Sequence, residues 1–228
     1  MGRRGRMIAL GLLGTGLVAA ARARPALERA AASMRTSSAP GARAYDLFGR
    51  LFLGGLYERI AADAAERVGG LSAPAVLEIG HGPGGLAVRL ARRLPTLRLT
   101  GLDIDPAMVE LAEARAAREG LAGRVRFVEG DVAALPFGDA VFDLVVSSFS
   151  VHHWSDPGAG FGEIRRVLRP GGGAIVYDLH PRWTRFETDA PGLGAAARAG
   201  GFEAGEAETV RWPGPLPLVV RLALGVPR

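Results

Sequence analysis

The chain has 228 residues, 48% hydrophobic and 22% charged, the size and composition of one ordinary globular domain, which excludes wholesale disorder, collagen-like structure and coiled coil. There is no Cys, so disulfides, cysteine zinc sites and cysteine nucleophiles are excluded as well. The net charge of +5 comes from one end: residues 1–44 hold eight Arg against Glu28 alone, the rest of the chain sums to −2, and no basic face for nucleic acid is implied.

Arg3, Arg4 and Arg6 precede a 15-residue apolar run, Met7 to Ala21, closed by Arg22, Arg24 and Pro25. A helix of that length spans about 22 Å, short of the roughly 30 Å hydrocarbon core. Three readings stay open: a signal peptide with paired Arg, a marginal membrane anchor, or translation that starts at Met34. Gly14, Gly16 and Ala19 fit a dinucleotide-type GxGxxA. The context is wrong, because Arg22 to Pro25 cut the following helix short and no second strand ending in an acid follows. From Arg22 to Arg43 the chain reads as a linker or a frayed helix. Residues 1–40 are thus expected to lie outside the fold and 41–228 to form the domain. The expected location is cytoplasmic, with residues 7–21 as a candidate membrane contact.

From Tyr45 the chain becomes periodic. Tyr45, Leu47, Phe48, Leu51 and Phe52 repeat at helical spacing, as do Tyr57, Ile60, Ala61 and Ala64, before Gly69 and Gly70 stop the helix. Ala75–Ile79 is a short apolar run entering a Gly-rich turn, hence a buried strand. Leu86, Ala87, Leu90, Ala91 and Leu94 form a helix stripe that Pro95 halts. Arg98–Leu102 is a second strand. Asp105 and Pro106 open a helix striped by Met108, Leu111, Ala112 and Ala116 and ended by Gly120. Val125–Val128 and Val141–Val146 predict the third and fourth strands. Phe161, Ile164 and Leu168 mark a helix stopped by Pro170 and Gly171, and Ala174–Tyr177 is a fifth strand. Leu193, Ala196 and Ala197 mark a last helix, with Phe202–Val210 and Leu216–Leu224 as closing strands. The alternation predicts a doubly wound α/β fold with a mostly parallel sheet covered on both faces.

The first strand runs through Glu78 into a loop where Gly80, Gly82 and Gly85 satisfy GxGxxG ahead of a helix. Glycines there permit a tight turn and close approach of a ligand to the backbone. The second strand ends at Asp103, the position that holds ribose hydroxyls in nucleotide-binding sheets. So far an NAD(P) oxidoreductase fits equally. That enzyme would set a pyrophosphate on the loop, where Glu78 is an unhelpful neighbour. With no Lys, the chain also has no Ser/Tyr/Lys proton-donor set. Three features separate the readings further. The third strand exits into Glu129, Gly130 and Asp131, followed by Leu135, Pro136 and Phe137. The fourth carries Phe142 and Asp143 and runs on to Ser147, Ser148, His152, His153 and Trp154. The fifth is preceded by Leu168 to Gly172. Asp143 reads as structural.

Together these motifs, spanning roughly Tyr45 to Asp178, closely resemble the class I S-adenosylmethionine-dependent methyltransferases that act on small molecules. The resemblance implies a Rossmann-like, seven-stranded sheet whose last strand is antiparallel, S-adenosylmethionine as cofactor, and methyl transfer to a small-molecule nucleophile. It also implies roles. Glu78, Gly80, His81, Gly82 and Gly84 would wrap the amino-acid end of the cofactor. Asp103 would accept from the ribose hydroxyls, and Ile104 would pack near the adenine. Asp131 and the Val132 amide would face the adenine ring, and Ser147 would lie near the methionine part. A cofactor-binding protein without catalysis is the competing reading, since an intact loop argues for binding and not for turnover. His81, His152, His153 and His180 each lie just past a predicted strand end, where such sheets bind ligands. His152, His153 and His180 are candidate proton acceptors. No metal site is expected. Tyr45, Phe48 and Phe52, with Trp183 and Phe186, are expected to roof an apolar or aromatic acceptor.

Overall fold

A computed structural model describes residues 46, 47, 49, 53–180, 190–203, 205–211 and 218–228. The apolar run at 7–21, the GxGxxA at 14–19 and the aromatics Tyr45, Phe48, Phe52, Trp183 and Phe186 lie outside them.

The described elements run α1 (Gly54–Val68), β1 (Ala75–Ile79), α2 (Gly85–Arg93), β2 (Arg98–Asp103), α3 (Pro106–Arg118), β3 (Val125–Glu129), β4 (Phe142–Ser148), α4 (Pro157–Val167), β5 (Leu168–Leu179), α5 (Ala190–Ala199), β6 (Gly205–Arg211) and β7 (Leu218–Gly225). The sheet has seven strands in the order β3-β2-β1-β4-β5-β7-β6. Only β7 runs against the rest, pairing antiparallel with both β5 and β6. This is the architecture that the motif series implies.

Local chemistry sets the helix starts. Asp105 Oδ1 accepts from Ala107 N at 2.9 Å with Pro106 in the first turn, and Asp156 Oδ1 accepts from Ala159 N at 2.9 Å ahead of α4. The central strands are apolar on both faces because both faces are covered. Val76, Leu99, Phe127, Val146 and Ile175 pack under α1, α2 and α3. Leu77, Ile79, Leu102, Val145 and Val176 pack on the side of α4 and α5.

β1 and β4 are neighbours, yet the chain leaves them toward opposite edges of the sheet. The loops that follow them therefore diverge, and a crevice forms at their C-terminal ends. That geometry decides where a ligand can sit.

Several strand ends shift by a residue or two from the expected ones, and three differences are instructive. β4 extends to Ser148, two residues past the predicted Val146, because Ser147 and Ser148 still pair with Val176 and Tyr177. β5 starts at Leu168, not Ala174: α4 passes directly into the strand, and Leu168 pairs with Phe142 before a register shift resets the ladder at Leu144 and Gly173. Phe202 is not part of β6; it is buried in the core between α5 and that strand.

Two charge clusters lock the packing. Asp63 of α1 accepts from the Tyr177 hydroxyl at 2.9 Å and from Arg221 Nε at 2.8 Å, clamping α1 over β5 and β7. Arg166 of α4 holds Glu163 and Asp139 and donates to the carbonyls of Leu135 and Phe137, fixing the long connection from β3 to β4. No helix among the described residues is long and apolar enough to cross a membrane.

Candidate functional site

β1 ends at Ile79 and the chain turns at once. Gly80 has φ +68°, and its N–H donates to Leu102 O at 2.8 Å, which extends the β1–β2 ladder by one residue. A methyl group on Gly80 would lie 2.3 Å from Ser150 Oγ. Backbone conformation and available space thus both require glycine here. The contact also means that the loops after β1 and β4 touch across the switch point. Trp154 Nε1 donates to Ser150 Oγ at 2.9 Å and steadies that contact.

Asp103 holds the glycine loop from the other side. Its Oδ2 accepts from Gly82 N at 2.8 Å and its Oδ1 from Asp105 N at 3.1 Å. Each carboxylate oxygen keeps a further lone pair, so the same group can also take hydroxyl donors.

Glu78 and His81 are the costly residues of this edge. Glu78 is 1% exposed, and its Oε2 has no hydrogen-bond partner. Burial, and then the charge of Asp103, pushes its carboxyl up to about 8. His81 is buried under the loop, with its ring 4.6 Å from that of Phe127. Its Nδ1 donates to Gly82 O at 2.5 Å, which leaves Nε2 buried without a partner. Burial lowers the His81 pKa against the opposing pull of Asp103 and the Gly82 carbonyl. Gly101 makes room for this stack: a methyl there would lie 2.5 Å from Phe127 and 2.9 Å from His81.

Unpartnered buried polar atoms cost about 1–3 kcal/mol each, and more when charged. A ligand with a cationic N–H group and vicinal hydroxyls would satisfy Glu78 and Asp103. The cofactor that the motifs imply carries both, as an ammonium and two ribose hydroxyls, so the donor set fits it.

The structure does not bring every expected residue into this cradle. Ser147 pairs with Ile79 and Val176, whose side chains belong to the α4–α5 side, whereas Glu78 lies beside Val146 on the α1–α3 side. The unpartnered Ser147 Oγ therefore faces away from Glu78. Ile104 is 69% exposed just past the tip of β2. Asp131 accepts from Ala133 N at 2.9 Å and starts a short 3-10 turn, Val132–Ala134, while the Val132 side chain is buried in the core. Asp143 ties strand starts together, accepting from Ala75 N and Arg169 Nη1, both at 2.8 Å.

All four histidines follow strand ends: His81 after β1, His152 and His153 after β4, and His180 after β5. Sequence reasoning missed the partner of one of them. Asp178, fully buried near the end of β5, lies with its Oδ1 2.6 Å from His152 Nδ1. The signal was present, since Asp178 is the lone acid in an apolar strand and stands at the ligand end, as Asp103 does in β2.

A groove of about 870 Å³ opens elsewhere, between the N-terminal ends of β1 to β4 and the segment Pro136–Phe142. None of the expected site residues lines it. The polar groups at the C-terminal edge, and not that groove, define the candidate site.

Comparisons with known proteins agree with this geometry. A family model described as a methyltransferase domain matches residues 76–172. The chain is 36% identical over 137 residues to a demethylmenaquinone methyltransferase of Thermus thermophilus, covering 60% of this chain and 61% of that protein. It is 31% identical over 145 residues to the ubiquinone/menaquinone biosynthesis C-methyltransferase UbiE of Geobacter sulfurreducens, covering 63% of this chain and 57% of that protein. The chain thus spans roughly three fifths of these curated relatives. Among solved structures, one from Methanococcus maripaludis assigned to the S-adenosylmethionine-dependent methyltransferases superposes with a TM-score of 0.71 at 24% identity, covering 85% of this chain and 95% of that one.

Proposed function

We propose that this chain, which belongs to the class I S-adenosylmethionine-dependent methyltransferases, moves a methyl group from S-adenosylmethionine to a small aromatic acceptor of the quinol type. The cofactor half of this reading rests above all on Glu78, a buried carboxyl without a partner beside a positive-φ glycine loop. The acceptor half rests on the relatives, which are named for quinone substrates and, in one case, for C-methylation.

S-adenosylmethionine, when bound, supplies a methyl group on a sulfonium, an electrophile whose positive charge vanishes as the methyl leaves. The chain's residues would bind and orient it. Glu78 would accept from its ammonium, with Gly80, His81, Gly82 and Gly84 forming the surface of the loop around its amino-acid end. Asp103 would accept from the ribose hydroxyls while still holding Gly82. Ile104, Asp131 and the Val132 amide would flank the adenine. Ser147, on the opposite face of the sheet from Glu78, would support this edge only from behind β1 and β4. Displacement at a sulfonium carbon needs alignment and exclusion of water more than strong acid–base chemistry. The protein's contribution is therefore chiefly positional, with an acceptor for any proton released.

An apolar quinol partitions into membranes. The apolar run at 7–21 would then give the enzyme a contact with the surface where its acceptor resides, leaving the folded domain, residues 41–228, in the cytoplasm.

The test is formation of S-adenosylhomocysteine with a reduced short-chain demethylmenaquinone, a catechol and a primary amine offered in parallel. Methylation of the quinol at ring carbon is expected. Cofactor binding without turnover on any of the three would leave a binding protein in place of the enzyme.

A further inference from the structure

The loop after β4 is shaped to deliver one imidazole to the end of β5. Phe149 N donates to Tyr177 O at 2.8 Å, carrying the β4–β5 ladder one residue further. Phe149 itself has φ +55°, a left-handed conformation that a bulky side chain adopts rarely. It bends the chain into the short 3-10 turn Val151–His153, which lies across the tip of β5. There Asp178 collects three donors. Its Oδ2 accepts from His152 N at 3.0 Å, and its Oδ1 accepts from Leu179 N at 2.6 Å and from His152 Nδ1 at 2.6 Å. The carboxylate is fully buried, and the His152 side chain is 9% exposed.

This arrangement fixes a tautomer. A carboxylate only accepts, so the nitrogen beside it, Nδ1, carries the proton. Nε2 is then the basic nitrogen of His152, and the carboxylate is placed to stabilise the imidazolium that forms when Nε2 takes a proton. The same 3-10 turn starts one residue after Ser150, whose hydroxyl abuts Gly80 of the glycine loop. The imidazole and the cofactor cradle therefore open on the same edge of the sheet. Among the described residues, the neighbouring titratable groups include His153, whose ring lies 4.0 Å from that of His152, and His180, two residues past Asp178.

We infer that His152 is the proton acceptor of the reaction and Asp178 its positioning residue, an assignment that rests on the methyl-transfer reading above. The atoms balance without a further reactant. The acceptor's hydroxyl proton passes to His152 Nε2, and the electrons freed drive attack by the acceptor on the methyl carbon. The carbon–sulfur bond breaks, and its electron pair stays on sulfur as a neutral thioether. At ring carbon, the methylated carbon then loses its own hydrogen as a proton to solvent while the oxygen regains a proton from His152, which restores the aromatic quinol and the neutral imidazole. The choice of His152 rests on its own geometry, a ring nitrogen 2.6 Å from a fully buried carboxylate at the end of β5.

The test uses the full chain and three readouts: ¹⁵N NMR of the imidazole nitrogens, calorimetric affinity for S-adenosylhomocysteine, and single-turnover methylation of reduced short-chain demethylmenaquinone. Wild-type His152 should show the Nδ1–H tautomer, and Asp178→Asn should shift it toward Nε2–H. Both His152→Gln and Asp178→Asn should slow methylation by about 100-fold or more, with S-adenosylhomocysteine affinity within about threefold of wild type, the margin expected for a group outside the cofactor cradle. Should Asp178→Asn fail to fold, His152→Gln and the wild-type tautomer still decide the question. A wild-type Nε2–H tautomer, or near-wild-type methylation by His152→Gln, would overturn the assignment. If the wild type binds S-adenosylhomocysteine but methylates neither this quinol nor the catechol or amine, the methyl-transfer reading falls and takes the proton-acceptor role with it. The NMR result would then report only a structural pair.

Discussion

Asp63 and Glu78 are both carboxylates withdrawn from water, and the fold treats them in opposite ways. Burial pushes Asp63 up, but hydrogen bonds from Arg221 and Tyr177 and the charges of Arg221 and Arg67 outweigh it, so its pKa is lowered. Glu78 receives no such partner. Burial and the charge of Asp103 both act in the same direction, and its carboxyl rises to about 8. The environment of Asp63 is complete without a ligand, and its role is to hold α1 against β5 and β7. The environment of Glu78 is complete only when something cationic arrives. The first region serves stability, and under the proposed function the second serves binding.

Breaking the satisfied region should give the largest effect on folding. Asp63→Ala strands the Arg221 guanidinium and the Tyr177 hydroxyl, and should cost about 3 kcal/mol of unfolding free energy. Urea denaturation measures it, and cofactor affinity of the folded fraction should be unchanged. The Tyr177 hydroxyl, which burial and then Asp63 push up to about 12, should titrate closer to its ordinary value in that variant.

Breaking the open region should do the reverse. Asp103→Ala removes the proposed anchor for hydroxyl donors together with the tie to Gly82, and should weaken S-adenosylhomocysteine binding by roughly 10- to 150-fold, about 1.5–3 kcal/mol. Calorimetry measures this, and the melting temperature should move far less than for Asp63→Ala.

Glu78 sharpens the contrast further. Its ordinary carboxyl value is 4.5 and its folded value about 8, so between those pH values the folded protein holds a proton that the unfolded chain has released. Its contribution to stability is therefore full below 4.5 and lost as pH rises through 8. Glu78→Gln should raise the stability of the ligand-free protein at pH 8 by about 1–2 kcal/mol, while weakening cofactor binding. A variant that loses stability at pH 8 would contradict this account of Glu78. In the wild type, cofactor binding at pH 6 should release close to one proton, measurable as a dependence of binding heat on buffer ionisation enthalpy.

The smallest effect is expected from the amino-terminal segment. A chain starting at Met34 should keep its melting temperature and cofactor affinity within error of the full chain, because residues 1–33 contribute none of the motifs. Loss of either would make that segment part of the domain.

Much of this was legible in the sequence because the relevant signals are local. The glycine loop, Asp103 at a strand end and Pro106 after Asp105 each announce a backbone requirement within a few residues. What stayed hidden was non-local. The pairing of Asp178 with His152 depends on the bend at Phe149, and the Asp63 cluster joins residues up to 158 positions apart in the chain. The true start of β5 was hidden by Pro170 and Gly171, which read as a stop but are accommodated by a register shift opposite β4. The side of the sheet on which Ser147 falls depends on β4 register, which apolar runs buried on both faces do not reveal.

The central claim is that the unsatisfied edge around Glu78, His81 and Asp103 is a site for S-adenosylmethionine. Calorimetric titration of the full-length protein with S-adenosylhomocysteine, and separately with NADH, tests it most directly. One saturable site for S-adenosylhomocysteine, displaced by S-adenosylmethionine and silent toward NADH, is the predicted result. Tight NADH binding, or no heat from S-adenosylhomocysteine, would contradict it.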